Sequence, residues 1–231
     1  MMTEICANIA RIRDRIQQAA QKSARNVTDI TLLAVSKTQP AEAIRVAHEQ
    51  GGLYHFGENY AQEAEAKRLA LADLPLIWHF IGPVQSNKTR LVAEHFHWLH
   101  SLERLKVAER LHAQRPANSP PLNICVQINV DDETSKSGLA FEAVPDFVAQ
   151  LRDFDRLSVR GLMVIPKAGQ SHEATLASFQ RTAACLAALR AQFPTLPLDT
   201  LSMGMSADLE LAIAAGSTIV RVGTDIFGAR R

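Results

Sequence analysis

The sequence predicts an α/β fold: a (β/α)8 TIM barrel preceded by an N-terminal helix, with residues 1–231 forming a single domain. Three observations carry this expectation. Eight short β-rich runs alternate with longer stretches of helix formers, the pattern of βα units around a parallel sheet. Several runs, such as Leu32-Leu33-Ala34-Val35-Ser36 and Asn123-Ile124-Cys125-Val126-Gln127-Ile128-Asn129-Val130, are apolar almost throughout, as strands covered on both faces are. The first run is followed by Ser36-Lys37-Thr38, without the glycines of a dinucleotide-binding turn, which removes the main support for an open doubly wound sheet.

The elements follow in order. Ile5, Ile9, Ile12 and Ile16 recur at spacings of four, three and four among Arg11, Arg13, Asp14 and Arg15, which marks an amphipathic first helix. The β-like runs are Ile30 to Ser36, Leu53 to Gly57, Ile77 to Gly82, Phe96 to Leu102, Asn123 to Val130, Val159 to Ile165, Thr200 to Met203 and Ser217 to Val222. Between them Ala41 to Gln50, Ala61 to Leu71, Asn87 to Glu94 and Leu102 to Gln114 are rich in Ala, Leu, Glu, Gln, Lys and Arg, so they read as helices. Pro40, Pro83, Pro145 and Pro166 fall near element edges. Little chain follows the eighth run, so the last barrel helix must be very short, with the N-terminal helix covering part of the gap.

Composition narrows the function classes. The 231 residues carry 25 Lys+Arg against 24 Asp+Glu, a formal charge of +1, which argues against partners held by bulk charge such as nucleic acid or an acidic membrane. Hydrophobic residues at 47 % and charged ones at 21 % describe a globular chain. No apolar run is long enough for a membrane span, and the N-terminus lacks the order of a secretory signal. Cys6, Cys125 and Cys185 are odd in number and widely spaced, which fits neither a disulfide framework nor a zinc site. The expected setting is cytoplasmic.

In such a barrel the chemistry belongs where strands end and βα loops begin. Strand one delivers Lys37, and a lysine there either snorkels to solvent or, desolvated, becomes an amine able to attack a carbonyl. Strand two ends in Gly57-Glu58-Asn59, a turn with an amide that both donates and accepts. His79, flanked by Trp78 and Phe80, is a core histidine or a pocket wall, and Lys88 reads as a solvated helix residue. His95, His97 and His100 invite a metal reading, but His100 would face away from the other two and no acidic ligand lies nearby in sequence. The loop after strand five holds Asp131, Asp132 and Glu133, read as solvated, and a second lysine, Lys136.

The last two units carry anion-binding chemistry. Ser202-Met203-Gly204-Met205-Ser206 precedes a helix that Ser206 is expected to N-cap. Gly223 and Thr224, after the eighth strand, offer backbone N–H groups with little bulk, and barrels commonly seat a phosphate there. Arg221 is a structural ion-pair partner or, if it points inward, a donor to the ligand.

Five segments then match one family. They are Ala34-Val35-Ser36-Lys37-Thr38-Gln39-Pro40, Phe56-Gly57-Glu58-Asn59-Tyr60-Ala61-Gln62-Glu63, Trp78-His79-Phe80-Ile81-Gly82-Pro83-Val84-Gln85-Ser86-Asn87-Lys88, Ser202-Met203-Gly204-Met205-Ser206-Ala207-Asp208 and Arg221-Val222-Gly223-Thr224-Asp225-Ile226-Phe227-Gly228. The chain resembles the pyridoxal phosphate homeostasis proteins (YggS/PROSC/PLPBP), which share the barrel of the alanine racemase N-terminal domain. The resemblance implies that Lys37 holds pyridoxal 5′-phosphate (PLP) as an internal aldimine. It implies a phosphate cup from Gly223 and Thr224 with Ser202 or Ser206 assisting, Arg221 near the pyridine nitrogen, Asn59 and His79 beside the cofactor, and Met203 near its ring. Members often carry a second lysine two residues after the first; here that position is Gln39, which leaves Lys136 as the candidate for a transfer role.

A racemase needs a base on each face of the bound cofactor. The sequence holds two tyrosines, Tyr54 and Tyr60, both in the second βα unit, whereas alanine racemases draw a tyrosine base from a further domain across a dimer. The expected function is therefore a monomeric, non-catalytic carrier that buffers PLP and delivers it to apo PLP-dependent enzymes. An aldolase-like Schiff-base barrel shares the lysine and the phosphate cup and stands as a third reading.

Overall fold

The computed structural model describes residues 2–131 and 137–228. Eight parallel strands close into a barrel in sequence order, β1 (Thr31–Val35), β2 (His55–Glu58), β3 (Ile77–Phe80), β4 (Trp98–Leu102), β5 (Leu122–Ile128), β6 (Leu157–Val164), β7 (Thr200–Ser202) and β8 (Ile219–Val222), with β8 pairing back onto β1. All eight runs read from the sequence are strands. Their ends differ for local reasons: α4 (Thr89–His95) takes His95 into a helix and caps on Phe96, so β4 starts at Trp98. At the far end of β5 the chain leaves the ladder when Asn129 N–H turns to donate to the Leu139 carbonyl.

The remaining outer layer consists of α1 (Met2–Lys22), α2 (Ala41–Glu49), α3 (Ala61–Ala70), α5 (Leu105–Gln114), α6 (Val144–Leu151), α7 (His172–Gln192), α8 (Leu209–Ala214) and α9 (Thr224–Phe227). The apolar stripe of α1 is buried at Ile5, Ile9, Ile12 and Ile16, and it packs on α2, α8 and α9. With α9 only 4 residues long, α1 stands where a full eighth barrel helix would lie. Asn8 Nδ2 donates to the Ile226 carbonyl at 3.0 Å, tying the first helix to the last. No helix among the described residues is long and apolar enough to cross a membrane.

Register decides which side chains face inward. Neighbours paired across parallel strands share a face, and every second residue returns to it. Leu33 pairs with Arg221, Val35 with Gly57, Gly57 with His79, His79 with Trp98, and Ser202 with Ile219. One inward register therefore contains His55, His79, His100, Ser202 and Arg221. Extended past the strand ends, the same period points toward the C-terminal mouth through Lys37, Asn59 and Gly223.

Candidate functional site

The turn that presents Lys37 is held from below by a buried ionic cluster. Lys67, on α3, donates to the Ser36 carbonyl at 2.7 Å, to Glu58 Oε1 at 2.8 Å and to Glu63 Oε1 at 2.6 Å. Ser36 Oγ donates to the same Glu58 oxygen at 2.6 Å, and Thr38 N–H donates to Glu63 Oε1 at 2.5 Å. The residues on either side of Lys37 are thus both anchored to one cluster, with Thr38 in the left-handed region at φ +64°. Burial raises the pKa of the Glu58 carboxyl, against the lowering pull of Lys67 and Ser36. Lys37 itself is half-buried.

Arg221 is buried in the barrel interior. Nη1 donates to Ser202 Oγ at 2.8 Å and Nη2 to the Val164 carbonyl at 2.9 Å. Burial lowers its pKa to about 10, with Asp208 and Cys125 pulling the other way, so it remains a cation at neutral pH. Its hydrogen bonds among the described residues go to neutral oxygens, which leaves a desolvated positive charge suited to an electron-rich ligand.

Ser202 is hydrogen-bonded in the barrel interior. Its hydroxyl lies 2.7 Å from His100 Nδ1 as well as accepting from Arg221. His100 Nε2 lies 2.9 Å from His79 Nδ1, and His79 Nε2 lies 2.9 Å from His55 Nδ1. His79 is a fully buried wall whose ring stacks on Trp98 at 5.5 Å, and both of its nitrogens are occupied by histidines. Burial holds its pKa well below 6.5, with His100 and His55 adding to the effect.

One further expectation changes. α8 has Asp208, not Ser206, at its N-cap position, and the Asp208 carboxylate turns back to accept from Met205 N–H at 2.6 Å. Ser206 instead lies half-buried in the β7–α8 loop. Met203, one residue past the end of β7, is fully buried in the hydrophobic core.

The β7–α8 loop and α9 are tied together by a residue that reads in the sequence as an ordinary helix charge. Arg15, on α1, donates to the Ser206 carbonyl at 2.8 Å and pairs with Glu210 at 2.8 Å and Asp225 at 3.3 Å. It thereby spans the β7–α8 loop and α9. Gly223 fits closely against β1: a Cβ there would lie 3.2 Å from the Val35 carbonyl oxygen. Thr224 is exposed at the start of α9.

Asn59, half-buried at the end of β2, has a buried Oδ1 with no hydrogen-bond partner. It lines a hollow of about 240 Å³ with Tyr60, Gln85 and Lys88, the last half-buried there and not freely solvated. A second hollow of about 590 Å³ opens on the loops after β5, β6 and β7, bounded by Asn129, Pro166, Lys167, Met205 and Asp208. Lys136, with Asp132 and Glu133, lies outside the described residues. Among the described residues no three of His, Cys, Asp or Glu group to hold a metal ion.

A closed parallel barrel with a strand-end lysine, an interior arginine and a small-residue cup defines a class, and comparison with known proteins agrees. Residues 7–231 match the family described as alanine racemase, N-terminal domain. The chain is 54 % identical over 229 residues to the pyridoxal phosphate homeostasis protein of Pseudomonas aeruginosa, covering 99 % of this chain and 97 % of the relative. It is 49 % identical over 232 residues to that of Escherichia coli, covering 99 % and 98 %. PipY of Synechococcus elongatus, solved with PLP bound, superposes with a TM-score of 0.81 at 40 % identity, covering 92 % of this chain and 99 % of that one. The chain belongs to the pyridoxal phosphate homeostasis protein family.

Proposed function

We propose that this protein binds PLP through a Schiff base to Lys37, buffers it and delivers it to apo PLP-dependent enzymes, working as a cytoplasmic monomer without robust turnover. PLP is a reactive aldehyde carrying a phosphate, so a carrier needs an amine, an anion cup and a group at the pyridine nitrogen. Lys37 supplies the amine, Gly223, Thr224 and Ser206 the cup, and Asn59, with its unsatisfied amide oxygen, a side contact. The observation that carries the reading is Arg221, a buried cation with only neutral hydrogen-bond partners. Facing the pyridine nitrogen, a guanidinium disfavours ring protonation and so weakens the electron sink that racemisation needs. Of the two tyrosines, Tyr54 lines a cavity beside the start of β2, and Tyr60 is exposed just past Asn59.

Purified protein incubated with PLP is expected to turn yellow, with borohydride fixing the cofactor to Lys37. Lys37→Ala should lose that absorbance and keep its fold, since removing a half-buried strand-end amine leaves no core cavity. A full absorbance band in Lys37→Ala would overturn the assignment and point to another lysine, Lys136 first. Transfer to an apo-enzyme with free PLP trapped tests delivery, and sustained racemisation of alanine by the wild type would replace the carrier reading with an enzyme.

A further inference from the structure

Five inward side chains from five strands form one unbroken chain of hydrogen bonds: Arg221, Ser202, His100, His79 and His55. Ring geometry alone does not say which nitrogen of each histidine carries its proton. Here the arginine does. A guanidinium has no acceptor, so Ser202 Oγ must accept from Arg221. Among the described residues the Ser202 hydroxyl has no other acceptor than His100 Nδ1 within hydrogen-bonding distance, and a buried O–H left unpaired carries a penalty of about 1–3 kcal/mol. It therefore donates to His100 Nδ1. With Nδ1 accepting, neutral His100 carries its proton on Nε2 and donates to His79 Nδ1. The same logic passes on: His79 donates from Nε2 to His55 Nδ1, and His55 is left with its Nε2–H.

We infer that Ser202, His100, His79 and His55 act as a one-directional relay that positions Arg221 for the cofactor, each histidine being locked as its Nε2–H tautomer. All donors point away from Arg221, toward the cavity of about 410 Å³ that His55 lines with Arg13, Thr31 and Tyr54 beside the start of β2. Neutral rings are what the surroundings favour: burial, then the nearby guanidinium, lowers the His100 pKa to about 3, and burial also lowers those of His79 and His55. The relay holds Arg221 in a way a carboxylate would not. Each donation polarises the next acceptor, so Ser202 becomes a stronger acceptor by giving its proton to His100. The guanidinium is thereby fixed in direction by neutral hydrogen-bond partners, with Asp208 acting on its charge only through space. His100, His79 and His55 are positioning residues, since they act through Ser202 and Arg221. This role rests on the PLP reading; the tautomer assignment does not.

The test begins with protein free of PLP, labelled with ¹⁵N at histidine. Two-dimensional ¹H–¹⁵N spectra resolve Nδ1 from Nε2, and His79, His100 and His55 are each expected to show a single, Nε2-protonated state. A majority Nδ1–H form at His79 or His100 overturns the relay. Ser202→Ala, which removes one oxygen, should abolish the single-tautomer state of His100 and shift the absorbance of bound PLP. His100→Gln, whose amide accepts at one end and donates at the other, should keep His79 in its Nε2–H form and leave the PLP spectrum near wild type. A purely core-filling role predicts the opposite: tautomers unchanged in Ser202→Ala, and no spectral difference between the two variants. Should either variant fail to fold, the wild-type spectrum alone still decides the assignment. Failure of wild type to take up PLP, with the tautomers as stated, would remove the cofactor reading and the positioning role while leaving the directional chain intact.

Discussion

Acidification is expected to destabilise this barrel from its interior outward. Burial, and secondarily the Arg221 guanidinium, lower the His100 pKa from an ordinary 6.5 to about 3. Between those values the unfolded chain binds a proton that the folded chain refuses. Stability from this group is therefore complete above the unfolded pKa and is lost as the pH falls. A site of this kind withdraws about 1.36 kcal/mol per pH unit once it is well inside its window. From pH 6.5 to about pH 5 that is roughly 2 kcal/mol from His100 alone, against a total of about 5–15 kcal/mol for a typical domain. His79 has the same sign, since its pKa is also lowered well below 6.5 by burial. Glu58 works the other way: its raised pKa lets the folded state take up a proton first, which offsets part of the loss. Urea unfolding followed by far-ultraviolet circular dichroism, repeated from about pH 7.5 to about pH 5, reads the slope. His100→Gln deletes one titrating group and should flatten the curve by up to roughly 1.4 kcal/mol per pH unit. A wild-type stability that stays flat across this range, or an unchanged slope in the variant, would refute the reasoning.

Three further outcomes are expected. Lys67→Met leaves the Glu58 carboxylate buried without its cation, so unfolding should become easier by about 3–5 kcal/mol in urea titrations at neutral pH. Arg15→Ala removes partly exposed ion pairs and should lower stability by only about 1–2 kcal/mol, yet PLP should dissociate measurably faster because the cup loops lose their tie. Thr224→Val keeps the side-chain volume and deletes a donor to the phosphate, so the PLP Kd from fluorescence titration should rise roughly ten- to a hundredfold, while pyridoxal, lacking the phosphate, binds both forms equally poorly.

The mouth of the barrel was legible in the sequence because strand ends are local signals. An apolar run that stops at Lys37, or at Gly223-Thr224, announces its position without reference to the rest of the chain. The supports were not legible, because their meaning is made by closure. Lys67 sits among Glu63, Glu65 and Arg68 and reads as one more charge on a solvated helix, yet it is buried beneath the Lys37 turn. Arg15 reaches the Ser206 carbonyl across 191 positions of sequence. The histidines misled in a different way. His95, His97 and His100 stand together in sequence, but the inward register keeps His100 and recruits His79 and His55 from other strands. Ser202 reads in the sequence as one of several hydroxyls that could serve an anion, and only the closed barrel shows its contacts with Arg221 and His100.

The tie between α1 and α9 has a consequence for how the protein comes to exist in the cell. A ribosome releases α1 among the first segments, and its isoleucine stripe then has no α8 or α9 to cover it. The β7–α8 loop at Ser206 and the Gly223-Thr224 turn are synthesised near the end and become tied only when Arg15 and Asn8 reach them. Such distant pairings are the slow part of folding. A nascent or truncated chain can thus present the Lys37 turn before the loops that Arg15 ties are in place. The barrel mouth is complete only once the first and last helices have met.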